Sequence, residues 1–166
     1  MHQVYLSLGS NIEPAQNLPK ALDLLRQQGE VLKISNAWES EAVGSDGPNF
    51  LNACVLFRTP LLQEELKEKV IHPIESTLGR KRTADKYAPR TIDIDIVLFD
   101  DQLVNDKFWK QAFVVVPLAE IYPEYPNPLT NENAAEATAR LRQNVWMKTR
   151  PEVLSRFNRS SHKLSI

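Results

Sequence analysis

An α+β domain is what this sequence predicts: a ferredoxin-like antiparallel sheet with helices packed on one face, followed by a C-terminal helical extension. Two observations carry that expectation. A chain of 166 residues with 42% hydrophobic and 25% charged residues has the size and composition of one ordinary globular unit. Its apolar positions alternate between period 2 and period 3.6 in the order strand, helix, strand, strand, helix, strand.

Residues 3–8 place Val4, Leu6 and Leu8 on one side, the mark of a half-buried strand, which ends at Gly9-Ser10-Asn11. Leu18, Ala21, Leu22, Leu24 and Leu25 then recur at helical spacing and predict a helix over about residues 15–28, with Pro19 in its first turn and Gly29 closing it. Val31, Ile34 and Trp38 suggest one strand across residues 30–39. After a glycine-bearing turn at residues 44–48, the apolar run 50–57 reads as a well-buried strand, and residues 60–78 as a second amphipathic helix ended by Gly79. A cationic connection, residues 80–90, feeds a strand at 91–99. The expected domain occupies residues 1–125. Pro123, Pro126 and Pro128 stud the connector to an extension, residues 126–166, whose residues 133–147 predict a helix docked on the same domain.

Lys and Arg number 20 against 21 Asp and Glu, a formal net charge of -1, so no global attraction to nucleic acid or anionic lipid is expected. Any anion-binding surface must be local. No run reaches the roughly 20 apolar residues that span a bilayer, and the start lacks a basic-then-apolar leader pattern. Cys54 is the one cysteine, which excludes an internal disulfide, and with only His2, His72 and His162 beside it a Cys/His metal site is not expected. These features point to a cytoplasmic protein; protein partners are left open.

Asp93 and Asp95 stand two apart in an apolar strand, so the pleat sends both carboxylates to one face and Ile92, Ile94 and Ile96 to the other. Two like charges held together need cationic compensation, and their hard oxygens suit Mg²⁺ completed by substrate phosphates and water. A bare D-x-D is more often a solubilising sheet face. Here, however, Arg80, Lys81, Arg82, Lys86 and Arg90 all precede the pair within one connection. Arginine forks bind phosphate oxygens bidentately, so the joint pattern is that of phosphoryl-transfer machinery.

The run Lys86-Tyr87-Ala88-Pro89-Arg90-Thr91-Ile92-Asp93-Ile94-Asp95-Ile96-Val97 closely resembles the signature of the 6-hydroxymethyl-7,8-dihydropterin pyrophosphokinase family. Leu8-Gly9-Ser10-Asn11, Phe50-Leu51-Asn52-Ala53 and the segment from Phe113 to Ile121 agree with the same family in the same order, over about residues 4–123. The resemblance implies a ferredoxin-like fold and transfer of the terminal pyrophosphate of ATP to a pterin alcohol in folate biosynthesis. It implies that Asp93 and Asp95 hold two Mg²⁺ ions, that Arg82 and Arg90 contact phosphates, and that Glu75, Lys86, Tyr87 and Ile96 lie along the nucleotide. It also implies a pterin pocket in which Asn52 reads the heterocycle's edge, Phe50 and Phe113 sandwich the ring, and Ser40, Ala42 and Val43 complete the wall.

The chain departs from that family between residues 100 and 112, which are short and contain neither the expected histidine nor the expected arginine; Gln111 stands where the arginine would be. Ser40-Glu41-Ala42 replaces a threonine-proline-proline stretch. Lys107 and Lys110 are the available substitutes for the lost cationic clamp. Three readings stay open from sequence alone: an active pyrophosphokinase with a shortened third loop, a divergent paralogue binding ATP or a pterin-like ligand with weak or different activity, and a noncatalytic partner-binding module.

Overall fold

The central strand is β1 (His2–Ser10), which pairs antiparallel with β4 (Phe50–Thr59) on one side and β5 (Asp93–Phe99) on the other. The structure is a computed structural model and describes residues 1–42, 46–81, 84 and 88–157. Outward from β4 lie β2 (Glu30–Ile34) and β3 (Ala37–Ser40), and β6 (Gln102–Leu103) flanks β5. The predicted single strand over residues 30–39 is therefore two. Ser35 makes the break without losing the ladder: its N–H donates to the Cys54 carbonyl at 2.9 Å and its Oγ accepts the Cys54 N–H at 2.9 Å.

The helices do not share one face of the sheet, contrary to the sequence reading. α1 (Pro14–Gln28) and the rod formed by α2 (Gln63–Leu66), a π-helical turn (Lys67–Ile71) and α3 (His72–Thr77) cover Val4, Leu6, Leu8, Val55, Phe57, Ile94 and Ile96. α4 (Ala112–Ile121) covers the opposite face, packing Val114, Val115 and Leu118 against Tyr5, Cys54, Leu56, Val97 and Leu98. The physical reason lies in α4 itself. Its sequence is apolar nearly all round, and such a helix must be covered on both sides. The middle of β1 is consequently buried on both faces, with Tyr5 and Ser7 covered as well as Val4, Leu6 and Leu8.

Two prolines explain local irregularities. Pro19 lies inside α1, in its second turn rather than the first, because the helix begins at Pro14. Pro73 follows the π-helical turn, where the His72 N–H reaches back five residues to the Lys67 carbonyl. Gly29 closes α1 in an extended conformation. A side chain there would come 2.5 Å from Cζ of the buried Phe57, so close packing, not a left-handed turn, demands glycine.

Residues beyond 125 do more than add a helix. The predicted helix over residues 133–147 is shorter, α5 (Ala134–Leu141), opened by a capping box in which Asn133 Oδ1 accepts the Glu136 N–H at 2.8 Å and Glu136 Oε1 accepts the Asn133 N–H at 3.0 Å. The chain then forms β7 (Met147–Arg150), which pairs antiparallel with β3 and extends the sheet. Ala134 and Ala137 join the α4 core, whereas Leu154 and Phe157 enter the α1 core. Phe157 is fully buried, and the guanidinium groups of Arg26 and Arg156 lie 4.6 and 4.1 Å from its ring centroid. Phe157→Ala is expected to destabilise the protein by about 3 kcal/mol through lost burial and the cavity left behind, measured as a shifted urea midpoint; an unshifted midpoint would mean that the tail does not dock in this core.

Candidate active site

The three central strands bring the sequence-predicted polar residues onto one sheet face. Asp93 is opposite Gly9 and Asp95 opposite Ser7 across β5 and β1, while Asn52 on β4 is opposite Gly9 from the other side. Two strand spacings thus separate the carboxylates from the amide, about 10 Å. Gly9 keeps the floor between them low: a side chain there would come 3.1 Å from Asn52 Oδ1 and 3.8 Å from the Phe50 ring. Further along the same face the alternation turns apolar, with Tyr5, Cys54 and Val97 under α4. The polar patch is the stretch that α4 does not need to cover.

A cationic lattice surrounds Asp93. Arg80 Nη1 donates to Glu75 Oε2 at 2.5 Å and to Asp93 Oδ1 at 2.9 Å, and Arg90 Nη1 donates to Asp93 Oδ2 at 2.8 Å. Glu75, only 3% exposed, also accepts the Ile94 N–H at 3.0 Å, standing in for a neighbouring strand at that point of β5. The sequence leaves Glu75 open between a solvated helix position and a ligand contact; burial and these bonds remove the first alternative. Arg80 received no individual role from sequence, yet it is the link between Glu75 and Asp93. A signal was available. Gly79, with φ of 81°, ends α3 in a Schellman turn in which the Gly79 N–H bonds the Ser76 carbonyl and the Arg80 N–H bonds the Glu75 carbonyl at 3.0 Å, which returns Arg80 over Glu75.

Asp95 has no such pairing among the hydrogen bonds of the described residues. Its carboxyl is pushed up to about 6, first by burial, then by the charges of Asp93 and Glu75, with Arg80 and Arg90 pulling the other way. Among the described residues no group of three or more His, Cys, Asp and Glu forms a ready metal cage. Two hard carboxylates on one face, one of them outside the ion pairs of the described residues, fit Mg²⁺ of the kind whose remaining ligands are phosphate oxygens and water.

On the other side of Gly9, Asn52 Nδ2 donates to Ser40 Oγ at 2.8 Å, and both residues are buried. Phe50 is half-buried and faces Ser40 across the β3–β4 pair; Ala42 is half-buried just beyond β3. Phe113 lies in the first turn of α4, half-buried against the second core. The side chain of Ile96 is packed into the α1 core, on the face opposite the carboxylates, so the expectation that it lines the nucleotide fails for the side chain. Val43, Arg82, Lys86 and Tyr87 lie outside the described residues. Cys54 is fully covered and its thiol is pushed up by burial, which agrees with its reading as a small apolar residue.

The segment that departs from the family pattern is pinned. Asp100 and Asp101, both at positive φ, turn the chain into β6, and a 3-10 turn at Asp106–Lys110 buries Trp109. The indole donates to Glu132 Oε1 at 3.0 Å, and Glu132 is gripped by Arg140 through Nε at 2.9 Å and Nη2 at 2.8 Å. Lys107 and Lys110 are exposed, and Gln111 immediately precedes α4.

Comparison with known proteins places these features in context. The family model described as 7,8-dihydro-6-hydroxymethylpterin-pyrophosphokinase (HPPK) matches residues 5–123. A 2-amino-4-hydroxy-6-hydroxymethyldihydropteridine pyrophosphokinase of Aquifex aeolicus is 39% identical over 139 residues, covering 78% of this chain and 86% of the relative. One of the same name from Synechocystis is 34% identical over 138 residues, covering 76% and 70%. Among solved structures, Plasmodium falciparum HPPK-DHPS with pteroate superposes with a TM-score of 0.65 at 12% identity over 86% of this chain; the chain spans 43% of that longer protein, and the likeness is one of fold.

A carboxyl held above its ordinary value is a stability cost at neutral pH. The ionised form of Asp95 is disfavoured in the folded state, so stability falls as pH rises from about 4 to about 6 and the penalty is complete above that window. In metal-free buffer, Asp95→Asn is therefore expected to be more stable than wild type by on the order of 2 kcal/mol at pH 7.5, with the gap closing toward pH 4, read from urea midpoints. A gap independent of pH would refute this placement of charge.

Proposed function

The chain belongs to the 7,8-dihydro-6-hydroxymethylpterin-pyrophosphokinase family, and from that membership we propose that it transfers pyrophosphate from ATP to 6-hydroxymethyl-7,8-dihydropterin in folate biosynthesis. The observation that carries the reading is the Asp93–Asp95 pair, set beside Arg80 and Arg90 and about two strands from Asn52 across Gly9. Phosphoryl transfer needs positioning and charge neutralisation more than covalent chemistry. This face offers hard anionic ligands and guanidinium groups at one end, and at the other a buried amide close to the Phe50 ring.

In this reading Asp93 and Asp95 would hold two Mg²⁺ ions, which when bound would supply charge neutralisation at the phosphates and lower the pKa of a nearby hydroxyl. The hydroxyl oxygen bonds to the β-phosphorus as the bond from that phosphorus to the α,β-bridging oxygen breaks, AMP departs with the bridging oxygen, and the hydroxyl proton passes to solvent. Arg82 and Arg90 bind phosphate oxygens; Lys86, Tyr87 and Glu75 line the nucleotide, and any contact from Ile96 is made by its main chain. Asn52 pairs with the donor and acceptor edge of the pterin, Phe50 and Phe113 stack on its ring, a geometry worth roughly 0.5–1.5 kcal/mol beyond area, and Ser40, Ala42 and Val43 form the wall. No residue is assigned as general base. We also read the β5-β1-β4-β3 order as a ferredoxin-like core and residues 126–166 as part of the same unit as residues 1–125. Among the described residues no helix is long and apolar enough to cross a membrane, which accords with a cytoplasmic setting.

The departure at residues 100–112 bears on rate rather than on reaction class. With no arginine or histidine there and Lys107 and Lys110 exposed, neutralisation of the transferred phosphates falls to Arg80, Arg90 and the rest of the basic connection. Purified protein with ATP, Mg²⁺ and 6-hydroxymethyl-7,8-dihydropterin is expected to release AMP. Asp95→Ala should lower that rate by about 10³-fold, and Asn52→Ala should weaken pterin binding about tenfold with ATP binding retained. AMP release unchanged in Asp95→Ala would remove the carboxylate pair from the mechanism.

A further inference from the structure

Arg90 stands between the basic connection and β5, which begins only at Asp93, so no strand ladder holds its backbone. Its hydrogen bonds come instead from the loop between β1 and α1. The Arg90 N–H donates to Asn11 Oδ1 at 2.6 Å, and the Arg90 carbonyl accepts the N–H groups of Asn11 at 3.0 Å and Ile12 at 3.2 Å. That loop is fixed in turn: the Ile12 carbonyl accepts Asn17 Nδ2 at 2.6 Å and Ser10 Oγ at 3.2 Å, which ties it to α1 and to the end of β1. Asn11 is 4% exposed, so these bonds are shielded from water.

We infer that Asn11 is a positioning residue for phosphoryl transfer: its side-chain carbonyl and main-chain N–H clasp both polar groups of the Arg90 peptide and thereby aim the Arg90 guanidinium at Asp93 and the phosphates. The inference rests on the proposed reaction and adds to it the source of Arg90's placement. The chemistry is specific. A backbone N–H and carbonyl on one residue need an acceptor and a donor side by side, and Asn11 supplies both, the acceptor from its side chain and the donor from its main chain. Because Gly9 two residues earlier lies opposite Asp93, the same stretch of chain sets both partners of the 2.8 Å Arg90–Asp93 ion pair. Removing the Asn11 carbonyl leaves a partly buried N–H unpaired and frees the Arg90 peptide to shift, and a displacement of about 1 Å at a positioned group costs about 10²-fold in rate.

The test is a double-mutant cycle in single-turnover AMP formation with both substrates saturating. Asn11→Ala is expected to lower the rate by about 10- to 100-fold with the KM for the pterin changed less than about threefold, Asn11→Asp, which keeps an acceptor oxygen, to recover a large part of that loss, and Asn11→Ala added to Arg90→Ala to change the rate by less than about threefold. Equal factors in the two backgrounds would overturn the inference, because a merely structural residue acts independently of Arg90. If circular dichroism shows Asn11→Ala unfolded, Asn11→Ser, whose hydroxyl is too short to replace the carbonyl, carries the same cycle with the same two outcomes. A wild-type chain that releases no AMP overturns the proposed reaction and this inference with it, whereas an active wild type with additive factors overturns the inference alone.

Discussion

Charge compensation around two carboxylates on a buried strand is the constraint from which the rest of this structure is organised. The D-x-D spacing places Asp93 and Asp95 on one face of β5. A strand flanked by β1 and backed by the α1 core offers them little solvent. Asp93 is answered by two guanidinium groups, one delivered by the Schellman turn after α3 and one clasped by the loop after β1. Glu75 then balances Arg80 while filling a vacant hydrogen-bonding position at Ile94. Two loops and one helix terminus thus converge on a single side chain, and their conformations follow from that requirement.

Much of this was legible in the sequence because it rests on period and spacing. The order of elements, the carboxylate face, the ends of α3 at Gly79 and of β1 at Ser10, and the burial of residues 50–57 all follow from local pattern. What was not legible depended on partners distant in the chain. Tyr5 looks like part of the polar side of a half-buried strand until α4 arrives to cover it, so helices on one face became helices on both. Met147–Arg150 carries no strand signal of its own; it becomes β7 because β3 presents an open edge, and the helix predicted as far as Met147 stops at Leu141. Asn11 reads as part of a turn motif, and only the fold brings it to Arg90, 79 residues away.

The extension and the shortened segment belong to one physical arrangement. Trp109 would be a liability in an exposed connection of this length. It is instead buried against Tyr125, with ring centroids 5.9 Å apart, and its indole N–H is satisfied by Glu132, which Arg140 on α5 holds in place. An indole donor that is buried needs such a partner. The residues that lack the family's cationic clamp are therefore not simply missing length; they are fastened to the helix that follows.

That fastening shifts electrostatic work toward the sheet. Among Glu75, Asp93, Asp95, Arg80 and Arg90, three carboxylates meet two guanidinium groups, leaving one net negative charge when all are ionised. The Asp95 carboxyl, raised first by burial and then by the charges of Asp93 and Glu75, is the one of the three that no ion pair answers among the described residues. In the proposed reading, a divalent cation held at the pair would more than offset the negative excess of these five groups and leave the positive sign that a polyphosphate requires.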